Sequence, residues 1–375
     1  MNRLWIRACA ALLLAVMTFL IMTAPRAEAA FNANAAAAAL IDAQSGRLLF
    51  GQNEDLRLPM ASTTKIMTAL IVLERCDPDD MVEVPDEAVG VEGSSMYLER
   101  GERLSVRDLL YGLMLASGND AAVALACHAG GSVNEFVGIM NARAEEIGLT
   151  KTHFITPNGL HAEGHLTTAH ELCLIAREAM RNETFAEIVS SKYHRTETGF
   201  APRVLKNKNS LLWSYEGAFG IKTGYTKAAG RCLVFGAERD GAAVIGAVLN
   251  CGPMFEEASE LMDAAFGSFV PVAVIEKGTH ILDLVIENSE ERLLEVCAKD
   301  SIILLMRNNE SASLRTQIEL FPGLRAPIEC GEAVGELRIF AGEELVGSTL
   351  LAAAESAEPL GYGYWWRLLS GYFAA

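Results

Sequence analysis

The chain has 375 residues, with 31 basic and 48 acidic side chains, a formal net charge of −17 and 51% hydrophobic residues. That length accommodates two domains of ordinary size. So acidic a composition argues against a nucleic-acid partner and against a broad electrostatic hold on anionic lipid, and no glycine-rich phosphate loop is present.

Residues 1–29 read as a secretory signal. Arg3 and Arg7 supply its positive end, Ala8 to Ala24 its apolar core, and Ala27-Glu28-Ala29 a small-x-small cleavage site. An apolar stretch of about 17 residues is short for a membrane span, so export followed by cleavage is expected. Ala38 to Phe50 then reads as two short strands turning at Gln44-Ser45-Gly46. Ser62-Thr63-Thr64-Lys65 opens a helix that continues to Glu74 without glycine or proline. Ser-x-x-Lys spacing puts the two side chains one helical turn apart on the same face. A serine hydroxyl needs a neighbouring base to act as a nucleophile. Lys65 can be that base where burial and nearby positive charge lower its pKa.

From Val106 to Met180 the apolar spacing is mainly helical, most clearly over Thr168 to Met180. Within this region Ser117-Gly118-Asn119 follows the apolar run Leu109 to Ala116 and precedes an alanine-rich helical stretch. Strands return between Glu216 and Cys251. Lys222-Thr223-Gly224, with Tyr225 after it, falls in a segment that reads as a strand edge, Ala242 to Asn250 is a further strand, and Met254 to Phe266 a closing helix. The pattern predicts an α+β domain over residues 30–268, an antiparallel sheet flanked by helices with a helical lobe inserted.

After Phe269-Val270-Pro271 the composition changes. His280–Ile286, Ser301–Arg307, Leu314–Leu320 and Gly335–Phe340 read as strands, with turns at Asn308-Asn309-Glu310 and Pro322-Gly323. They predict a small all-β sandwich over 275–352. It has no cluster of chemically active residues, which suits a spacer or docking role. In residues 360–375, Trp365, Leu368, Leu369 and Tyr372 follow i, i+3, i+4, i+7, Trp366 and Phe373 widen the apolar face, and Arg367 is the single charge. This tail is too short to span a bilayer. It reads as an amphipathic helix lying on a membrane surface, with packing against the β domain as the alternative. The cysteines from Cys76 to Cys330 are scattered, show no C-x-x-C and often sit in apolar runs, so buried free thiols are expected. His161, His165 and His170 lie close in sequence but lack a helical H-E-x-x-H pattern, and no metal or cofactor is expected.

Ser-x-x-Lys, Ser-x-Asn and Lys-Thr-Gly, in that order, are the signature of penicillin-interacting serine acyl-enzymes. At these residues the chain resembles the serine D-alanyl-D-alanine carboxypeptidases, low-molecular-weight penicillin-binding proteins related to the serine β-lactamases. The likeness takes in Ala38 to Glu54, Gly93 to Leu98, Thr152 to Leu160, Asn207 to Trp213 and Gly220 to Gly230. One departure is Tyr225, where some members carry histidine, which bears on substrate preference more than on chemistry. The resemblance implies that Ser62 attacks the terminal D-Ala–D-Ala bond of a peptidoglycan pentapeptide and that Lys65 accepts its proton, directly or through neighbours. Ser117 and Lys222 would relay the proton to the departing amine. The backbone N–H groups of Ser62 and Tyr225 would form the oxyanion hole. Asn119 would bind the substrate amide or orient Lys65, while Thr223 of the Lys222-Thr223-Gly224 motif and Lys208 would join Lys222 in holding the terminal carboxylate. It also implies covalent inhibition by β-lactam antibiotics, a part in limiting wall cross-linking, and a location at the outer face of the cytoplasmic membrane or in the periplasm or cell-wall space. A class A β-lactamase, the nearest enzymatic alternative, normally carries Ser-Asp-Asn and lacks a β domain. A non-catalytic wall binder would not need a nucleophile and base.

Overall fold

A computed structural model of the protein describes residues 32–289, 293–307, 310, 314–362, 364–366 and 370. The signal segment 1–29 lies outside the described residues, as do Arg367, Leu368, Leu369, Tyr372 and Phe373 of the tail.

The first domain is built on an antiparallel sheet of order β2-β1-β9-β8-β7. Strands β1 (Ala35–Asp42) and β2 (Leu48–Gln52) form the predicted N-terminal pair. A 3₁₀ turn, Ala61–Thr64, leads directly into α1 (Lys65–Arg75). A short strand pair, β3 (Met81–Glu83) and β4 (Arg103–Ser105), introduces the helical lobe. The lobe then runs through α2 (Val106–Tyr111), a π-helical turn (Gly112–Ala116), α3 (Asn119–Gly130) and α4 (Val133–Ile147). Helices α5 (Ala169–Met180) and α6 (Glu183–Ser190) follow, each capped by a side chain, Thr168 and Asn182. A hairpin of β5 (Tyr193–Arg195) and β6 (Val204–Lys206) and the short α7 (Leu211–Ser214) return the chain to the sheet. There it forms β7 (Ala218–Thr226), β8 (Gly230–Arg239), β9 (Ala242–Cys251) and the closing helix α8 (Met254–Ser268).

The run of alanines in β1 explains how helices approach the sheet so closely. Ala37, Ala39 and Ile41 join the core made with α1, α3 and α5. At the alternate positions Ala38 and Leu40 are equally buried, as expected for a strand covered on both faces. Among the described residues strand β7 pairs only with β8, which leaves its other edge to line a cleft. This is the strand edge that the Lys-Thr-Gly segment predicts.

The second domain has a two-strand sheet, β10 (Val270–Ile275) with β13 (Ile302–Met306). Its five-strand sheet has the order β11-β12-β16-β15-β14. These are β11 (His280–Val285), β12 (Leu293–Ala298), β14 (Leu314–Leu320), β15 (Ala333–Ala341) and β16 (Glu344–Ala353). The architecture matches the predicted all-β domain, with β10, β12 and β16 added to the strands read from sequence. It meets the first domain at the β1–β2 turn. Arg47 pairs with Glu310 and donates to the Leu305 carbonyl, and the buried Asp42 accepts the Leu305 amide at 3.3 Å. In the tail, the described tryptophans Trp365 and Trp366 are exposed, and no helix among the described residues is long and apolar enough to cross a membrane.

Candidate active site

Ser62 stands in the 3₁₀ turn and Lys65 is the first residue of α1, so the expected single helix is tightened at its entry. The spacing still brings Lys65 Nζ to 3.0 Å from Ser62 Oγ. Lys65 is fully buried, and its Nζ also lies 2.7 Å from Asn119 Oδ1 and against the Asn158 carbonyl. Asn119 is held at both ends. Its backbone N–H donates to the Ser94 carbonyl at 2.7 Å and its side-chain NH₂ to the Glu92 carbonyl at 2.6 Å. Of the two roles open to Asn119 from sequence, this geometry favours orienting Lys65.

The second motif is set by backbone. The π-helical turn Gly112–Ala116 ends on Ser117, which adopts a left-handed conformation (φ 63°, ψ 34°) and is buried. Such positions are uncommon for a residue with a Cβ and gather at functional sites. Strand β7 packs against both this turn and the 3₁₀ turn of Ser62, so all three motifs converge. Gly224 permits the approach, since a Cβ there would stand 3.1 Å from the Ser62 amide nitrogen and 3.2 Å from the Met60 carbonyl. Lys222 is buried and its Nζ bonds to the Thr223 carbonyl at 3.0 Å. Tyr225 points its side chain to solvent, 66% exposed, leaving its backbone on the cleft strand. Lys208 reaches across to Ser94 Oγ at 3.0 Å.

The electrostatics follow from three lysines in one low-dielectric site. Burial, then the charges of Lys222 and Lys208, hold Lys65 well below the usual ammonium range, with Asp120 opposing. Burial and Lys208 bring Lys222 down to about 7, and burial lowers Lys208. A neutral amine beside a serine hydroxyl is a general base.

Sequence reasoning missed several supporting groups. Asn158 contributes only a carbonyl. Asp120 is buried and accepts from Ser95 Oγ and from the backbone N–H groups of Met96 and Leu98, fixing the loop that carries Ser94. His165 is a loop residue, buried against the turn that carries Ser62. Its Nδ1 accepts the Ile155 amide at 2.9 Å, so the proton on Nε2 points at Thr64 Oγ1, 2.8 Å away. Burial first, then His153 and His161, lower its pKa to about 4. With both ring nitrogens engaged, His165 has no lone pair to offer a metal. The signal for Asn158 and the Ser94 loop was present, because both lie in segments that carry the family likeness.

The sequence model of the D-alanyl-D-alanine carboxypeptidase family matches residues 23–252, and that of the penicillin-binding protein 5 C-terminal domain matches 269–359. The chain is 31% identical to the D-alanyl-D-alanine carboxypeptidase DacF of Bacillus subtilis, over 88% of this chain and 87% of that one. Among solved structures it is similar to penicillin binding protein 5 from Haemophilus influenzae, with TM-score 0.69 and 27% identity over 88% of this chain and 98% of that one. It is also similar to a point mutant of the Streptomyces K15 DD-transpeptidase, with TM-score 0.60 and 36% identity over 63% of this chain and 99% of that one.

Proposed function

The chain belongs to the D-alanyl-D-alanine carboxypeptidase family of serine-type hydrolases, and on that premise we propose that it trims the terminal D-alanine from peptidoglycan stem peptides with Ser62 as nucleophile. The observation that carries this reading is the 3.0 Å approach of a fully buried Lys65 amine to Ser62 Oγ. In the mechanism, Lys65 takes the serine proton as Oγ attacks the carbonyl of the D-Ala–D-Ala bond. Backbone N–H groups of Ser62 and Tyr225 receive the developing oxyanion. Ser117 and Lys222 return the proton to the departing D-Ala amine, and Thr223, Lys222 and Lys208 hold the terminal carboxylate. Asn119 keeps the Lys65 amine aimed at Ser62. Water then cleaves the ester, regenerating Ser62 and releasing a peptide one residue shorter.

The same nucleophile opens β-lactams and stays acylated, and removal of the donor D-alanine limits cross-linking of the wall. Residues 1–29 direct export, residues 30–268 do the chemistry, and the β domain over 275–352 carries the catalytic domain above the outer face of the membrane, to which residues 360–375 attach. Exposure of Trp365 and Trp366 supports that attachment. Incubation with a muropeptide ending in D-Ala–D-Ala, followed by mass analysis, tests the reaction. The expected product is the tetrapeptide, and Ser62→Ala abolishes both it and fluorescent-penicillin labelling. A protein that turns penicillin over is a lactamase, and one that never labels is a binder. Deletion of residues 360–375 is expected to release the protein from membranes with unchanged turnover of a soluble peptide. Loss of attachment in high salt alone would remove the apolar anchor from the scheme.

A further inference from the structure

The segment from Lys192 to Trp213 departs in charge from the rest of this acidic chain. It carries Lys192, Arg195, Arg203, Lys206 and Lys208 against the single acid Glu197. Arg203 is committed to Glu102, but among the described residues no ion-pair partner faces Lys192, Arg195 or Lys206. The hairpin itself is two-sided. Its underside is pinned: His194 stacks on Tyr111 at a ring separation of 3.6 Å and lies 2.7 Å from the buried Asp108, while Leu205 is buried. The upper face pairs Tyr193 with Lys206 and Arg195 with Val204. Tyr193 is 55% and Val204 73% exposed.

Trp213 completes this face. It meets Tyr193 edge to face at 6.0 Å, with Lys206 Nζ at 5.4 Å and Lys192 Nζ at 5.9 Å from its ring centre. Burial then alternates strictly along the chain toward the cleft, with Val204, Lys206 and Lys208 exposed and Leu205, Asn207 and Asn209 buried. Strand β6 ends at Lys206, and Lys208 follows two residues later, also exposed. The cationic, aromatic hairpin thus leads directly along the chain to Lys208, the lysine that reaches Ser94 at the cleft.

We propose that this face, with Lys192, Tyr193, Arg195, Lys206 and Trp213 at its centre, is a docking surface for a peptidoglycan strand, outside the catalytic cleft. The inference rests on the wall-peptide reading above. Peptidoglycan offers the matching chemistry: stem-peptide carboxylates for the cations without ion-pair partners, and pyranose and aliphatic faces for the edge-to-face aromatic pair. On a molecule of net charge −17, a local cationic lane also draws a polyanion to the cleft that the rest of the surface repels. Aromatic rings carrying a charged neighbour present a large contact area at low conformational cost.

The test measures co-sedimentation of the full-length protein with peptidoglycan sacculi stripped of phosphate-containing polymers, alongside kcat/KM on a soluble acyl-Lys-D-Ala-D-Ala tripeptide. Lys192→Glu combined with Lys206→Glu is expected to weaken sedimentation about tenfold, because each rim ion pair changes affinity by a factor of a few. Turnover of the tripeptide is expected to stay within about twofold, and the Lys→Arg pair restores binding. Should the double reversal fold poorly, Tyr193→Ser and the salt dependence of wild-type binding carry the test, with weaker sedimentation in both expected. Unchanged sedimentation in these variants overturns the proposal. So does an equal loss on polymer and tripeptide, which would place the residues in the support of the cleft. Binding only to walls that retain phosphate polymers, or to anionic phospholipid vesicles, overturns it in favour of those partners. Inactivity of the wild type on the tripeptide would instead strike the carboxypeptidase reading, while sedimentation continues to judge the face.

Discussion

Arg203 grips the fully buried carboxylate of Glu102 with two hydrogen bonds, 2.6 and 2.8 Å long, and donates as well to the carbonyl oxygens of Met96 and Tyr97. One guanidinium thus ties the segment ahead of β6 to the loop that carries Ser94. Arg203→Met leaves a buried carboxylate without its partner, a change that costs about 3–5 kcal/mol. Arg203→Lys should not rescue it, because an ammonium cannot reproduce the planar fork. Denaturant unfolding checks the stability, and a raised KM for a D-Ala–D-Ala peptide checks that the loop has loosened.

The same pair sets an acid limit. Burial pushes the Glu102 carboxyl up, but Arg203 and backbone hydrogen bonds at Phe200 and Glu99 outweigh it and leave the group below the usual range. A carboxyl depressed in the folded state contributes stability above its unfolded pKa, about 4.3, and loses it as pH falls through the folded value. The melting temperature is therefore expected to fall below about pH 4. In Arg203→Met the stability deficit should shrink over that range, because Glu102 then takes up a proton. An equal deficit at pH 7 and pH 3 would disprove the assignment.

Lys65→Ala is expected to slow acylation at least ~100-fold, the ordinary contribution of a general base. Lys65→Arg should stay as slow, since guanidinium remains protonated at any working pH. The neutral amine is the reactive form, so kcat/KM should rise with pH through the lowered Lys65 pKa. Acylation by a fluorescent penicillin, followed by stopped flow, reads each case.

Lys208 depresses both Lys65 and Lys222. Lys208→Gln removes that charge, so both pKa values should move upward and the acid limb of kcat/KM with them. KM should rise in parallel if Lys208 holds the substrate carboxylate. A raised KM on an unmoved pH profile would leave Lys208 a binding role alone.

Gly159 has φ +81°, and a Cβ there would overlap the Ala61 carbonyl behind the nucleophile. Gly159→Ala must push away the loop that carries the Asn158 carbonyl. A loss of at least about tenfold in acylation is expected with helix and strand content retained, since a left-handed non-glycine residue alone costs of order 1–3 kcal/mol. Circular dichroism and penicillin labelling together decide it.

Local chemistry was legible in the sequence and distant backbone chemistry was not. Ser62 and Lys65 are three residues apart, so helical spacing alone predicts their approach. Asn119 could not be assigned one role, because its partners Lys65 and Glu92 come from separate segments. Asn158 acts through a carbonyl, which every residue type possesses. Strand β16 hides its pattern around Gly347, yet a Cβ there would stand 2.9 Å from Ile302 Cγ2, so close sheet packing accounts for the glycine. The residues of β12 alternate in burial only over six positions, too short a run to separate from its surroundings.

All seven cysteines from Cys76 to Cys330 are unpaired. Burial raises the thiols of Cys232 to about 11 and Cys251 to about 12, and lifts Cys173 further. Almost no thiolate therefore exists at these positions at neutral pH, and it is the thiolate that reacts. Maturation of these cysteines need not wait for an oxidant or a disulfide isomerase, steps that take seconds to hours where they are required. The interior around Cys173, Cys232 and Cys251 should behave alike in oxic and anoxic surroundings. Cys330, the one exposed thiol of the seven, offers a maleimide a single ready point of attachment on the β domain, where a fluorophore can report on the protein without entering the cleft.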